Sequence, residues 1–299
     1  MPKVLANGIQ IHYQQAGEGQ DVVLVHGVTG DLSIWYVGVM PYLAREFKVT
    51  AYDLRGHGYS EGTPSGYTST DMAADLDGLL GSLGIERAHL VGHSFGAAVA
   101  LHTAVLYPKR VASLVLADPG LPVLQPLVDL NKWAYFESFK RGFQENGIVI
   151  PDDKWADLVY VTKQALAARR PALPFGLRRH ADRSYRRLLR LMENTSALTE
   201  AQEVGGLTLD RIAEVRQPTL VIYGQMSQFV QTAPYLQERM PHSQVAILDR
   251  VAHFFALSKP ELLVEAAMKF LRELNGGDAS HLIGGASRSA PERDGHEGS

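Results

Sequence analysis

Residues 87–100 read Arg-Ala-His-Leu-Val-Gly-His-Ser-Phe-Gly-Ala-Ala-Val-Ala, and this stretch decides the fold. The apolar run at its start predicts a strand, and the small residues from Ala97 onward predict a helix. Ser94 lies at the turn between them, flanked by Gly92 and Gly96, where a tight turn leaves no room for a Cβ atom. A Gly-x-Ser-x-Gly pattern between a strand and a helix indicates a nucleophile elbow, which lifts a serine hydroxyl above the sheet.

Strand-like and helix-like segments alternate along much of the chain, and this alternation indicates the fold class. Asn7-Gly8 predicts a hairpin turn between two short strands over residues 3–15. Further strands are predicted at 21–26, 49–52, 111–117, 218–223 and 245–248, and helices at 35–47, 67–83 and 260–274. Ser69 or Thr70 is the candidate cap of the second helix. The alternation is typical of an α/β protein whose parallel sheet is covered by helices on both faces.

Three further motifs carry a family resemblance. His26-Gly27-Val28 follows the first central strand, Asp53-Leu-Arg-Gly-His-Gly58 follows the next, and a histidine loop at 249–261 follows the last. Together with the elbow they resemble the α/β-hydrolase superfamily over residues 8–275. The resemblance implies a mostly parallel α/β-hydrolase sheet flanked by helices, with a helical cap inserted above the site. Within these motifs, His26, Asp53 and Arg55 are interpreted as structural residues that hold loops near the site.

The domain organisation is predicted from the point where the alternation stops. Residues 121–206 are mostly helix-like and contain prolines at 122, 126, 151, 171 and 174. We therefore expect an α/β-hydrolase core over 1–120 and 207–275, with the helical cap over 121–206. Residues 276–299 are rich in glycine, serine and charge, which predicts a disordered tail.

The candidate catalytic groups begin with Ser94, which needs a base within hydrogen-bond reach because a neutral serine hydroxyl is a weak nucleophile. The resemblance assigns this base to His253, in the loop after the last strand. It also assigns two oxyanion-hole donors. These are the backbone N–H of Val28, from the His-Gly-x motif, and that of Phe95, next to the nucleophile.

The acid departs from the commonest pattern of the family that the chain resembles. Most of its members carry an aspartate three residues after the glycine that ends the strand before the last, and here that position is Ser227. Asp118 ends the strand after the elbow helix, where the branch with haloalkane dehalogenases and zearalenone lactonases places its acid. We therefore predict a triad of Ser94, His253 and Asp118, with Asp249 as the alternative acid. A histidine without any acid partner would lose about four orders of magnitude in turnover.

Composition excludes several functional classes. The chain has 299 residues and a formal net charge of −3, which gives no case for nucleic-acid binding. It has no cysteine, so disulfides and thiolate chemistry are excluded. No G-x-G-x-x-G or H-E-x-x-H motif is present, so we expect no cofactor and no metal. Without a signal-peptide pattern or a long apolar run, we expect a cytoplasmic protein that binds no membrane and acts on a small-molecule substrate. The sequence is compatible with a homodimer.

Two features of the predicted cap bear on the ligand. Its bulky apolar residues favour a hydrophobic, aromatic or macrocyclic group, and they equally suit a core of the cap itself: Leu130, Trp133, Phe136, Trp155 and Phe175. Residues 163–190 hold nine basic residues and one acid. Four arginines fall on one helical face, at positions 183, 186, 187 and 190. The face is interpreted either as solvated, or as a surface that steers an anionic substrate or docks an acidic carrier protein.

We predict a serine hydrolase that cleaves a carboxylic ester or lactone of a hydrophobic small molecule through an acyl-enzyme. Epoxide hydrolysis and dehalogenation require an aspartate nucleophile, and residue 94 is a serine. A Ser–His site on this fold also suits C–C bond hydrolysis, thioester hydrolysis or cofactor-free lyase chemistry. A non-catalytic ligand-binding relative is the remaining alternative, because Ser227 replaces the usual acid.

Overall fold

The computed structural model describes residues 1–167 and 178–276, and its centre is an eight-stranded sheet. The strands are β1 (Lys3–Ala6), β2 (Ile9–Ala16), β3 (Asp21–Val25), β4 (Lys48–Tyr52), β5 (Ala88–His93), β6 (Val111–Ala117), β7 (Thr219–Gly224) and β8 (Gln244–Leu248). Their order in the sheet is β1-β2-β4-β3-β5-β6-β7-β8. The β1–β2 and β2–β4 pairs are antiparallel, and the other pairs are parallel. The predicted α/β class is confirmed.

The helices connect these strands and cover the sheet. They are α1 (Ser33–Tyr36), α2 (Met40–Leu43), α3 (Ser69–Ser82), α4 (Phe95–Leu106), α5 (Phe136–Glu145), α6 (Leu158–Ala167), α7 (Arg178–Asn194), α8 (Ala197–Glu200), α9 (Leu209–Ala213), α10 (Ala233–Arg239), α11 (Phe255–Ser258) and α12 (Pro260–Gly276). No helix within the described ranges is long and apolar enough to cross a membrane.

The central strands are buried on both faces. In β3, Val23 and Val25 pack into the core that includes residues of α3 and α4, whereas Val22 and Leu24 pack into the opposite core with residues of α12. This two-sided burial explains why the strand is a continuous apolar run instead of an alternating one.

Two local predictions are wrong. The helix predicted over 35–47 is divided into α1 and α2, because Pro41 lacks the N–H that a continuous helix would donate to the Val37 carbonyl and is tolerated only in the first turn of α2. The cap of α3 is Thr68, whose hydroxyl accepts from the Asp71 N–H at 3.2 Å while the Asp71 carboxylate accepts from the Thr68 N–H at 3.2 Å. This capping box satisfies two backbone donors that would otherwise be unpaired.

The segment between β6 and β7 contains α5 to α9, and part of it packs directly on the sheet domain. The Glu200 carboxylate accepts from the N–H groups of Gly66, at 2.8 Å, and Tyr67, at 2.6 Å. In α7, Leu188 and Leu191 are buried in the same core as α3 and α4. The division into core and cap stays a prediction. Phe175, the side chain of Arg183 and the predicted tail beyond Gly276 lie outside the residues that the structure describes.

Candidate active site

The turn between β5 and α4 holds Ser94 in a strained conformation. Its backbone has φ 56° and ψ −122°, in a region that residues other than glycine seldom adopt. The backbones around it approach too closely for side chains. A Cβ on Gly92 would overlap the Gly96 carbonyl, and a Cβ on Gly96 would overlap the Val25 carbonyl. The two glycines therefore allow the turn to close, and the turn presents a half-buried serine hydroxyl.

Ser94, His253 and Asp118 form one hydrogen-bonded chain. The His253 Nε2 lies 3.0 Å from the Ser94 Oγ, and the His253 Nδ1 lies 2.6 Å from the Asp118 Oδ2. The Asp118 side chain is fully buried, and that of His253 is 15% exposed. Because an aspartate carboxylate accepts the Nδ1–H, the Nε2 is left free to accept a proton from the serine. The structure thus brings the three predicted residues into hydrogen-bond contact.

Asp118 has two further hydrogen-bond donors, and one of them is Ser227. The Ser227 Oγ–H donates to the Asp118 Oδ2 at 2.5 Å, and the Gly224 N–H donates to the Asp118 Oδ1 at 2.9 Å. Ser227 is fully buried. Sequence reasoning considered this residue only as a missing acid and overlooked it as a donor. Its hydroxyl was the available signal, since the neighbouring strand ends of a parallel sheet lie side by side.

The alternative acid, Asp249, lies apart from this chain of hydrogen bonds. Its side chain is 68% exposed and pairs with Arg250, at 3.2 Å between the Asp249 Oδ2 and the Arg250 Nε. No hydrogen bond joins Asp249 to His253 in the part of the chain that the structure describes.

The predicted oxyanion donors lie on either side of Ser94. Phe95 follows the serine directly, and the Val28 amide lies next to Gly27, where a Cβ would come within 3.0 Å of the Ser94 Cβ. Among the described residues, neither the Val28 N–H nor the Phe95 N–H donates to a protein acceptor. Both amides are therefore available to an oxygen atom that develops negative charge above the serine.

Two buried histidines hold the Val28 loop. The His26 Nδ1 donates to the Gly27 carbonyl at 2.8 Å, and its Nε2 accepts from the Leu54 N–H at 3.0 Å. Burial lowers the pKa of His26, which agrees with this neutral arrangement. The His57 Nε2 lies 2.8 Å from the Val28 carbonyl. Burial lowers the pKa of His57 to about 4, and because its Nδ1 also lies 2.8 Å from the Arg55 carbonyl, a neutral ring donates to only one of the two oxygens. The structural role predicted for His26 fits these contacts.

Asp53 and Arg55, also interpreted as structural, hold the neighbouring turn. The Asp53 carboxylate accepts from the Leu32 N–H and the Tyr59 N–H, each at 2.8 Å. The Arg55 guanidinium binds the Asp75 carboxylate through two donors, at 2.6 and 2.8 Å. These contacts connect the loops around the site to β4 and α3.

The His93 side chain contacts both the backbone and the ring of His253. Its Nε2 lies 2.8 Å from the His253 carbonyl oxygen, and the two ring centroids are 4.9 Å apart, with the ring planes tilted by 31°. Burial, and then the neighbouring His253, lower the pKa of His93 to about 4. A neutral His93 donates one hydrogen bond to the His253 backbone and adds no positive charge beside the catalytic candidate.

Phe229 and Gly120 lie beside His253 and Ser94. The Phe229 ring lies 4.9 Å from the His253 ring, and a Cβ on Gly120 would lie 3.5 Å from the Ser94 Oγ. Leu121 and Phe229 belong to the buried core beside the site. Within the described ranges, no group of three or more His, Cys, Asp or Glu side chains is placed so that it could hold a metal ion.

Comparisons with known proteins identify the family of this chain. The family model of the alpha/beta hydrolase fold matches residues 22–260. The dihydrolipoyllysine-residue acetyltransferase component of the acetoin cleaving system of Cupriavidus necator is 30% identical over 85% of this chain, and this chain spans 64% of that relative. The 2-(acetamidomethylene)succinate hydrolase of Mesorhizobium japonicum is 28% identical over 88% of this chain and 92% of its own length.

The solved structures also include close matches in fold. An N-acyl homoserine lactone degrading enzyme superposes with a TM-score of 0.64 at 23% identity, over 90% of this chain and 100% of that chain. At this identity the similarity concerns the fold alone. The family model covers most of the described sheet and the elbow, and the chain belongs to the family of the alpha/beta hydrolase fold.

Proposed function

We propose that this chain is a serine hydrolase that cleaves a carboxylic ester or lactone of a hydrophobic small molecule through an acyl-enzyme. The observation that carries the proposal is the chain of hydrogen bonds from the Ser94 Oγ through His253 to the buried Asp118 carboxylate, with contacts of 3.0 and 2.6 Å. A serine, a neutral histidine and a carboxylate in this geometry are the groups that acyl transfer requires.

In the proposed first step, the Ser94 Oγ attacks the carbonyl carbon while the His253 Nε2 takes the hydroxyl proton. Asp118 stabilises the resulting imidazolium, and the Val28 and Phe95 N–H groups bind the oxyanion. Each such donor contributes roughly 3 kcal/mol to the lowering of the barrier. The imidazolium then gives its proton to the leaving alkoxide, which leaves as an alcohol. The acyl group stays on Ser94.

In the second step, a water molecule attacks the acyl carbon. His253 takes a proton from the water and returns it to the Ser94 Oγ as the carboxylic acid leaves. With a lactone, the alcohol and the acid belong to one molecule, so a single hydroxy acid is released. Phe229 and Leu121 support an apolar group next to the scissile bond.

A fluorophosphonate probe tests the nucleophile. We expect labelling of the wild-type chain and none of the Ser94→Ala variant, with both proteins equally folded by circular dichroism. Failure of the wild type to react would favour a non-catalytic ligand-binding protein. A panel of esters, lactones, thioesters and vinylogous diketones then identifies the bond that is cleaved. If only the diketones are turned over, the proposed ester hydrolase is instead a C–C bond hydrolase.

A further inference from the structure

A groove of about 480 Å³ lies between α7 and the glycine-rich turn after β4. On one side it is lined by Arg187 and Arg190, one turn apart on α7, and on the other by Gly56 and Gly58. The lining contains no aspartate and no glutamate. Two guanidinium groups facing a concave surface without any carboxylate create a positive potential there.

The guanidinium of Arg187 is held in place by an aromatic ring. Its central carbon lies 3.7 Å from the centroid of the Tyr59 ring. Stacking covers the flat face of the guanidinium and leaves the N–H groups along its edge available. Neither Arg187 nor Arg190 has a carboxylate partner among the residues that the structure describes. Within the described ranges, no side-chain hydrogen bond therefore occupies either guanidinium.

The other polar side chains of the groove already donate elsewhere. Five hydroxyl or amide groups each donate to a backbone carbonyl: Ser60 to Asp53, Thr63 to Ser65, Tyr67 to Thr63, Asn194 to Arg190 and Thr195 to Leu191. The two guanidinium groups are the charged donors of the described lining, and the second N–H of the Asn194 amide adds a neutral one. Paired guanidinium groups match the geometry of carboxylate and phosphate oxygens.

The groove also adjoins the oxyanion loop. Gly56 and Gly58 flank His57, whose Nε2 lies 2.8 Å from the Val28 carbonyl. Helix α7 packs directly on this turn, and the contact is so close that a Cβ on Gly56 would lie 2.5 Å from the Leu191 Cδ1. We propose that the groove binds an anionic group, a carboxylate or a phosphate, of a small molecule through Arg187 and Arg190.

The first experiment measures binding alone and does not depend on the proposed function. The probes are inorganic phosphate and glutarate, titrated into the full chain by calorimetry and thermal shift. We expect both to bind the wild type at low ionic strength, and the Arg187→Gln/Arg190→Gln variant to bind about 100-fold more weakly. Arg186→Gln is the matched control, because it removes the same charge from the same helix outside the groove, and we expect wild-type affinity.

The second experiment identifies where the anion comes from, and it rests on the proposed function. It compares kcat/KM for the p-nitrophenyl hemiester of glutaric acid with kcat/KM for neutral p-nitrophenyl valerate. If the anion is part of the substrate, the ratio falls at least about tenfold in the double variant and is unchanged in Arg186→Gln. If it is a separate ligand, the ratio stays constant while phosphate and glutarate binding are lost.

Either pattern supports an anion site, and two results would overturn it. One is that the wild type binds neither probe and that the ratio of the two kcat/KM values is the same in the wild type and in the double variant. The other is equal weakening by Arg186→Gln, which would indicate a general effect of charge. If no ester is hydrolysed while the probes still bind through Arg187 and Arg190, the proposed function fails and the anion site stands.

Discussion

The ends of β6 and β7 are neighbours in the sheet, and they contribute opposite halves of one hydrogen bond. The β6 end supplies the carboxylate, Asp118, and the chain after β7 supplies a hydroxyl donor, Ser227, which contacts the Asp118 Oδ2 at 2.5 Å. Both side chains are fully buried. The family resemblance alone implied the reverse arrangement as the commonest one, with the acid after β7. The histidine needs a negative charge at one place in space, and either strand end can deliver it.

The backbone ties the two ends together. The Asp118 N–H donates to the Ile222 carbonyl at 2.6 Å, and the Gly224 N–H donates to the Asp118 Oδ1 at 2.9 Å. Asp118 has φ 47°, in the left-handed region that aspartate and asparagine adopt more readily than most residues. The β6 end therefore suits a short side chain with an oxygen acceptor, and the β7 end suits a side chain that donates a hydrogen bond to that oxygen.

Removal of the Asp118 charge gives the largest effect that we expect. Asp118→Asn keeps the size and the favoured backbone conformation, but the neutral amide cannot stabilise a His253 imidazolium. We expect kcat to fall by about 10⁴ on the best ester of the panel. The unfolding temperature checks that the fold is intact. A loss of less than tenfold would show that the charge at the β6 end is not needed.

Moving the charge to the β7 end tests whether the two ends are interchangeable. In Asp118→Asn/Ser227→Asp, the new carboxylate can accept from His253 while the asparagine amide donates to it. We expect about 100-fold more activity than in Asp118→Asn alone. Ser227→Asp alone is the control, and it should be impaired because two buried carboxylates share one site. An inactive but folded double variant would limit the role of acid to the β6 end.

Much of the sheet could be predicted because its strands are long apolar runs that end in glycine-rich turns. The predicted and observed bounds of β6, 111–117, coincide. Local predictions failed where a tertiary contact decided the outcome. Thr68 caps α3 because the hydroxyl of Ser69 contacts the His102 Nδ1, at 2.9 Å, and that of Thr70 donates to the Gly205 carbonyl. Neither partner is apparent from the sequence around the helix.

The candidate site shows the same division. The proximity of Ser94, His253 and Asp118 could be predicted from the family resemblance, and the sheet geometry agrees with it, since each residue follows a strand of one parallel sheet and such ends share an edge. The anion groove could not be predicted in full. Its two arginines were recognised on one helical face, but the Tyr59 ring and the turn at Gly56 lie more than 100 positions away in the chain. Only folding brings these elements together.

Removal of the donor at the β7 end should have a smaller effect. In Ser227→Ala the Asp118 carboxylate keeps its charge but loses one hydrogen bond, and we expect kcat/KM to fall about tenfold, or roughly 1.4 kcal/mol. The unfolding temperature of the variant checks that the fold is intact. Wild-type kcat/KM in a folded Ser227→Ala variant would show that this donor does not support the acid.

The smallest effect is expected at Asp249, the carboxylate that is closest to His253 in the sequence. Its side chain is 68% exposed and its partner Arg250 is 89% exposed, so solvent screens both their ion pair and any field at the site. We expect Asp249→Asn to keep kcat/KM within about twofold of wild type at every pH. A large loss in this variant, with Asp118→Asn nearly active, would transfer the acid to the histidine loop. The paired ends of β6 and β7 would then serve the stability of the sheet alone, because the buried Asp118 carboxylate would still hold the Gly224 N–H and the Ser227 hydroxyl.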